Sequence, residues 1–476
     1  MQKRLVRPFY VFMILAVMIA QLGLVPGSVI SADAAPQQDT VPSRPSFAGV
    51  TISNAHVNDG GNSAFIAPGS TFTLSLNYSI FDTGCPGCID EIEIGFSTDS
   101  APFTCIYTGI PGVEGTSGST SIEVTAPSKP GVYYLGFDRA QHYSCEEALA
   151  SGWWSGAPDQ SRYIASITAA TQVVNSAADS DDGSCDIENC TLREAINASN
   201  LREGLDVVAF NIPSEGVQVI SPLSPLPSIN EQIIIDGYTQ SGASSNTLTV
   251  GDNANIQIAL NGDSCSPAPC SQGLLISSGS STIRGLAIYG NFNNGIEVNG
   301  SGSTIAGNFF GVKPDGTASG VAASGVYVNN TSDNTIGGYT PTDRNVISNN
   351  RDGVFVAAGG ADATNNVIVG NYIGTDPTGM AAQGNRQRGI FMGSFGQAAN
   401  HNAINGNLIS GNGHFGVLVH DGNVTYTSLN GNLIGTNAAG TGALPNGNSE
   451  FSMMAWREQM PGQASPLPGP IIGSVD

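Results

Sequence analysis

Gly273-Leu-Leu-Ile276, Gly295-Ile-Glu-Val298, Gly325-Val-Tyr-Val328, Gly353-Val-Phe-Val356, Gly389-Ile-Phe-Met392 and Gly416-Val-Leu-Val419 are one short phrase written six times. Successive copies stand 22, 30, 28, 36 and 27 residues apart. Between them a second phrase recurs, as Ile305-Ala-Gly-Asn-Phe-Phe-Gly311, Ile368-Val-Gly-Asn-Tyr-Ile-Gly374, Ile404-Asn-Gly-Asn-Leu-Ile-Ser410 and Leu429-Asn-Gly-Asn-Leu-Ile-Gly435. Each phrase is a short strand bounded by Gly and Asn bends, and neither hides its apolar side chains unaided. Stacking one winding on the next supplies the missing partner. Fixed strands at variable spacing exclude a helical repeat, whose length is set by two antiparallel helices. A propeller blade needs about 40 or more residues, and a leucine-rich repeat needs a regular Leu ladder. The pattern therefore predicts an all-β solenoid over residues 170–455, a single-stranded parallel β-helix. Parallel crossovers prefer the right hand. About eight coils at ~4.8 Å per strand give a rod on the order of 40 Å.

Three features follow from the repeat. Asn308, Asn345, Asn371, Asn407 and Asn432 fall at one bend of successive coils. Asn tolerates bend geometry and stacked amides bond from coil to coil, so these five read as a structural ladder. In the Gly-Ile-x-Val phrase the third residue points outward. That column runs Leu275, Glu297, Tyr327, Phe355, Phe391, Leu418. Its rings serve either as a track for sugar C–H faces or as rings that stack on one another. Longer loops starting at Val312, Thr375 and Thr436 recur about every 62 residues and should project from one edge.

The solenoid opens with Asp179-Ser-Asp-Asp-Gly-Ser-Cys185-Asp-Ile-Glu-Asn-Cys190-Thr-Leu-Arg-Glu-Ala-Ile196. Thr191 followed by Glu194 is a capping box, which predicts a short helix from Leu192. Its apolar face, Leu192, Ala195 and Ile196, is suited to cover the open end of the first coil. Cys190-Thr-Leu-Arg-Glu-Ala-Ile196 resembles the Cys-Ser-Leu-Arg-Glu-Ala motif of a class of bacterial exported β-helix proteins. Leu226-Pro-Ser-Ile229 and Ile234-Ile-Asp-Gly-Tyr-Thr-Gln240 look like that class as well. The resemblance covers residues 172–448 and departs from the motif at Thr191, where Ser is usual. It implies a pectin-lyase-like fold and a secreted or cell-surface protein, and it transfers no catalytic residue.

Residues 45–169 read as a separate module. Phe72, Leu74 and Leu76, then Ile92, Ile94 and Phe96, alternate as strands between Gly, Pro and Ser clusters, which predicts an Ig-like β-sandwich. Trp153-Trp154 reads as a core pair or a sugar-stacking platform. Residues 1–34 carry a basic start, an apolar run and Ala32-Asp-Ala34, the marks of an export signal. No later apolar run is long enough for a membrane span. Residues 456–476 form a Pro-rich tail without repeat character.

Eight cysteines in an exported chain suggest disulfides. Cys185 with Cys190 and Cys265 with Cys270 are close enough to pair locally. Cys85, Cys88, Cys105 and Cys145 leave three connectivities open, and Cys85-Pro-Gly-Cys88 also admits zinc. The net charge of −22 repels phosphate backbones and argues against nucleic acid. No cofactor is called for, although Asp179, Asp181, Asp182 and Asp186 could offer hard oxygens to Ca²⁺.

The expected function is non-catalytic binding of an extended ligand, such as a polysaccharide or cell-surface glycan, along a groove beside Glu297, Tyr327, Phe355, Phe391, Asp352 and Asp376. The alternative is a polysaccharide lyase or glycoside hydrolase. Such an enzyme would set two carboxylates over the groove, and Glu297, Asp352, Asp315 and Asp376 are the local candidates.

Overall fold

The computed structural model describes residues 41–454, apart from 59–60, 82–84, 86, 113, 267, 421–422 and 448, with side chains described as far as residue 447. The export signal and the tail expected from the sequence lie outside the described residues. The chain is nearly all β, with two α-helices among the described residues, α1 (Cys145–Ser151) and α2 (Leu192–Ser199).

The first nine strands form two sheets. One orders Ser46–Phe47, Val50–Val57, Thr71–Ile80 and Thr116–Thr125, all antiparallel. The other orders Ser63–Ile66, Tyr163–Ala169, Gly131–Ala140, Asp90–Phe96 and Thr104–Gly109. Alternation puts Phe72, Leu74 and Leu76 from one sheet and Ile92, Ile94, Phe96, Leu135 and Phe137 from the other into a single buried cluster. Cys105 is bonded to Cys145 and so ties an edge strand to α1; Cys85 is bonded to Cys88, which leaves no thiolate there for zinc.

From Gln172 onward the chain deals its strands in turn to three parallel sheets. Sheet I has nine strands, from Gln172–Val174 to Ser428–Asn430. Sheet II has eight, from Gln218–Ile220 to Leu433–Ile434. Sheet III has seven, from Cys270–Ile276 to Ser449–Met454. Thr304–Ala306, Phe309–Phe310 and Ser324–Asn329 make one circuit, and Thr335–Gly337 then pairs in parallel beside Thr304–Ala306. This is the arrangement of a β-helix-like solenoid. The recurring aliphatics point inward: Ile305, Phe310 and Val326, then Ile336, Ile347 and Val354, then Ile368, Ile373 and Ile390 are essentially sealed from solvent in one continuous core.

Helix α2 begins as its sequence dictates. The Glu194 N–H donates to Thr191 Oγ1 at 3.2 Å, and the Thr191 N–H donates to Glu194 Oε2 at 2.7 Å. Leu192, Ala195 and Ile196 lie in the same buried cluster as Val174, Val208 and Phe210 of the first coils. The Cys185–Cys190 disulfide closes the turn before the helix, and Cys265 is bonded to Cys270, the first residue of the first strand of sheet III. Phe65 of the front module packs with Val207 and Ala209 of the opening coil.

Candidate functional site

The outward column of sheet III runs in strict register, Leu275 to Glu297, Tyr327, Phe355, Phe391 and Leu418, one residue per coil. Its rings are stacked on each other. Tyr327 and Phe355 have centroids 5.0 Å apart at 20°, and Phe355 and Phe391 have centroids 4.5 Å apart at 14°. Both faces of Phe355 are therefore used, and only ring edges look outward. Phe395 stands edge-on to Phe355 and Phe391, and the Arg388 guanidinium lies 3.9 Å over the Phe391 ring. Phe391 is consequently buried at 7 % exposure and Leu418 at 4 %, whereas Tyr327 and Phe355 are half-buried. The column is more covered than alternation alone implies, because parallel neighbours of like size cover each other.

The candidate acids are each engaged. Asp352 is fully buried and held by Arg388 at 2.6 and 3.0 Å and by Arg351 at 3.1 Å. Glu297 accepts from Asn329 Nδ2 at 3.1 Å, and the Tyr327 hydroxyl donates to Asn329 Oδ1 at 3.1 Å. Asp376, expected beside the strip, lies instead in a loop whose Gly379 sits against Tyr372 and Leu408 on the sheet II face; it folds that loop, accepting from the Thr378 hydroxyl at 2.7 Å and from the N–H groups of Met380 and Ala381. Asp315 does the same with Thr317, whose hydroxyl bond holds the Asp315 carboxyl below its usual range. The three long loops are closed by the bridges Val312 to Ala318, Thr375 to Ala382 and Thr436 to Ala443. They stack along one edge: Gln383 Nε2 donates to the Gly316 carbonyl at 2.8 Å, and the Ala438 N–H to the Gly379 carbonyl at 2.9 Å.

The five asparagines form a continuous amide chain. Asn308 Nδ2 donates to Asn345 Oδ1, Asn345 to Asn371, Asn371 to Asn407 and Asn407 to Asn432, at 3.2, 2.8, 3.0 and 3.0 Å. Two further ladders escaped the sequence reading. Asn350, Asn385, Asn412 and Asn446 bond in series at a second corner, and Asn334 bonds to Asn366 at a third, with the Asn366 N–H donating to Asn402 Oδ1. The constant placement of Asn334, Asn366 and Asn402 one residue before the sheet I strands was the available signal.

A groove that sequence reasoning also missed crosses the outer face of sheet II. That face carries Ala259, Ala287, Phe309, Val346, Tyr372 and Leu408 in register, packed against Ile256 and Val312. Over its later coils a cleft of about 300 Å³ stays open. Tyr372, Leu408 and Leu433 line it in axial order, with Ala438 of a long loop and Gly370, Gly406 and Gly431 of the bends beside them. A Cβ added at Gly406 or Gly431 would meet nothing within 4 Å, so the bends leave space. One end is built by Tyr339, Thr340, Pro341 and Arg344, an insertion between strands of sheets I and II. Arg344 lies 4.3 Å over the Tyr372 ring and donates to the carbonyls of Leu248, Thr249 and Gly251, which fixes that wall. Burial pushes the neighbouring Asp252 carboxyl up to about 6. Tyr339 is 81 % exposed and Leu433 40 %.

The acids before α2 are spent separately. Asp179 binds Arg193 at 3.0 and 2.8 Å, Asp181 accepts from Gly183 and Asn197, Asp182 from Ser184, and Asp186 from Glu188 and Asn189. Among the described residues no group of three or more His, Cys, Asp or Glu side chains is arranged to hold a metal ion. Trp153 packs on Gly95 and donates its Nε1–H to the Asp99 carbonyl at 2.9 Å, whereas Trp154 is half exposed.

No family model and no curated protein matches the chain. Among solved structures, ORF18 of Geobacillus virus E2 aligns with 50 % of this chain at 12 % identity and a TM-score of 0.35, and the chain spans 44 % of that protein's length. The catalytic domain of a GH87 alpha-1,3-glucanase in complex with tetrasaccharides aligns with 87 % of this chain and 99 % of its own, at 12 % identity and a TM-score of 0.22.

Proposed function

We propose that this chain is a secreted or cell-surface protein, an Ig-like module followed by a right-handed, single-stranded, pectin-lyase-like β-helix, that binds an extended polysaccharide without cleaving it. The observation that carries the reading is the groove on sheet II. It runs along the coil axis over Tyr372, Leu408 and Leu433, so a chain-like ligand meets similar chemistry at each winding. Sugars present apolar C–H faces rimmed by hydroxyls. The apolar floor, the exposed Tyr339 ring and the Thr249 and Thr340 side chains complement both. The strip of Glu297, Tyr327 and Phe355 offers a second, shallower contact through ring edges and amides.

Binding is favoured over catalysis because Asp352 is neutralised by two arginines and Asp315 and Asp376 are committed to their loops. Four disulfides and the likeness of Cys190–Ile196 to the exported β-helix class support placement outside the cytoplasm. No helix among the described residues is long and apolar enough to cross a membrane.

A polysaccharide binding and degradation screen on the full chain tests this. The expected result is retention of at least one glycan, no release of reducing or unsaturated ends, and about tenfold weaker binding after Tyr339→Ala with Leu433→Ser. Unchanged binding in that variant would move the site to the strip, where Phe355→Ala and Phe391→Ala should then abolish it. Cleavage products would replace the binding reading with the enzymatic one.

A further inference from the structure

The outer face of the five-stranded sheet in the front module hides an unusual set of charges. Strand Asp90–Phe96 is buried along its whole length. Ile92, Ile94 and Phe96 enter the core, so Glu91, Glu93 and Gly95 face outward. Glu93 sits directly opposite Asp138 on strand Gly131–Ala140. Segment 141–162 covers them. Trp153 lies on Gly95, where a Cβ would come within 2.8 Å of its ring, and Pro158 lies on Gly136. The Ser155 N–H donates to Asp138 Oδ2 at 2.6 Å, and the His142 N–H to Glu91 Oε2 at 2.8 Å. The cover is pinned at one end by the Cys105–Cys145 disulfide and at the other by Arg162 against Asp138 at 3.2 Å.

Beneath it the charges do not balance. Arg139 is taken by Asp90 at 2.5 Å and Arg162 by Asp138. One Glu91 oxygen accepts from the His142 N–H; burial raises this carboxyl, the Asp90 and Glu147 charges add to the rise, and His142 opposes it. Asp159 faces solvent on the far side of Arg162. Glu93 is fully buried, and among the described residues neither of its oxygens finds a hydrogen-bond partner; the Trp154 backbone N–H lies toward it without reaching bonding geometry. Asp138 has Arg162 and two backbone N–H groups to hold its charge, whereas the buried Glu93 carboxylate facing it has none, so Glu93 is the one that favours keeping a proton.

We propose that segment 141–162 is a proton-controlled cover, seated while Glu93 is protonated beside the Arg162-paired Asp138 and lifted from Trp153 to Ser155 when both carboxyls are charged. Lifting lets water reach the two carboxylates and exposes the Trp153 face now resting on Gly95. Burial, followed by the Asp138 charge, pushes the Glu93 carboxyl up to about 7, and burial raises Asp138 as well, so the change belongs to neutral pH.

Intrinsic tryptophan emission of the full chain, recorded from pH 5 to pH 9, reads the state of the cover. The expected result is a red shift with a midpoint near pH 7 in the wild type. Glu93→Gln should stay at the low-pH wavelength throughout, and His142→Asn should keep the wild-type transition. A flat wild-type profile, or a transition that survives Glu93→Gln and disappears in His142→Asn, overturns the proposal. A ¹³C-carboxyl titration of Glu93 needs no substitution: a midpoint near pH 7 supports the cover, and one in the ordinary carboxylate range removes it.

Discussion

Asn371 shows how much a single buried amide does here. Its Nδ2 serves the Ile336 and Val369 carbonyls and Asn407, while its Oδ1 accepts from Asn345. Asn371→Ala removes the acceptor of one neighbour and the donor of the next, leaving buried polar groups that cost about 1–3 kcal/mol each. Thermal unfolding should report a loss of several degrees, whereas exposed Asn253→Ala should change little; equal melting temperatures would show that the ladder carries no stability. Glu93 acts in the opposite sense. Burial pushes its carboxyl up to about 7 from an ordinary value of 4.5, so the native state binds more protons than the unfolded chain between those values. The stability that this group contributes is fully present below pH 4.5 and is lost as pH rises through 7. Glu93→Gln should therefore match the wild type near pH 5 and melt higher at pH 8, and a variant that melts lower at pH 8 would refute a strained carboxylate.

At the scale of single elements, α2 and the stacked rings test different physics. The Thr191–Glu194 capping box satisfies two N–H groups at the start of a helix that seals the first coil. Thr191→Ala should cost about 1 kcal/mol by denaturant unfolding, with the m-value unchanged. The helix was legible because capping is local: Thr191, Glu194 and the apolar trio are written within six residues. The outward column was legible as a register, since period-two alternation fixes which side chains share a face. Its covered state was not legible, because ring-on-ring contact at 4.5 Å and the Arg388 cap depend on distances between coils. Tyr339→Ala belongs to this scale too: the side chain is 81 % exposed, so melting should not move while glycan retention falls.

For the molecule as a whole, the parallel winding followed from two repeated phrases whose valines and isoleucines now fill one core. The sheet II groove did not follow, because it joins Thr249, the 338–344 insertion and the bends at Gly370, Gly406 and Gly431, which are scattered along the chain. No periodicity announces such a meeting. The winding itself is open to a direct distance measurement. Ser280, Gly302, Asp333, Asn365 and His401 occupy equivalent bends on successive coils, each N–H bonded to the coil that follows. Ser280 and His401 are thus four steps of ~4.8 Å apart, about 19 Å along the axis, despite their separation in sequence. Pulsed electron–electron resonance between nitroxides at Ser280→Cys and His401→Cys should give a narrow distribution near that value, widened only by the label arms. A broad distribution, or one centred well beyond 30 Å, would contradict the stacked parallel winding.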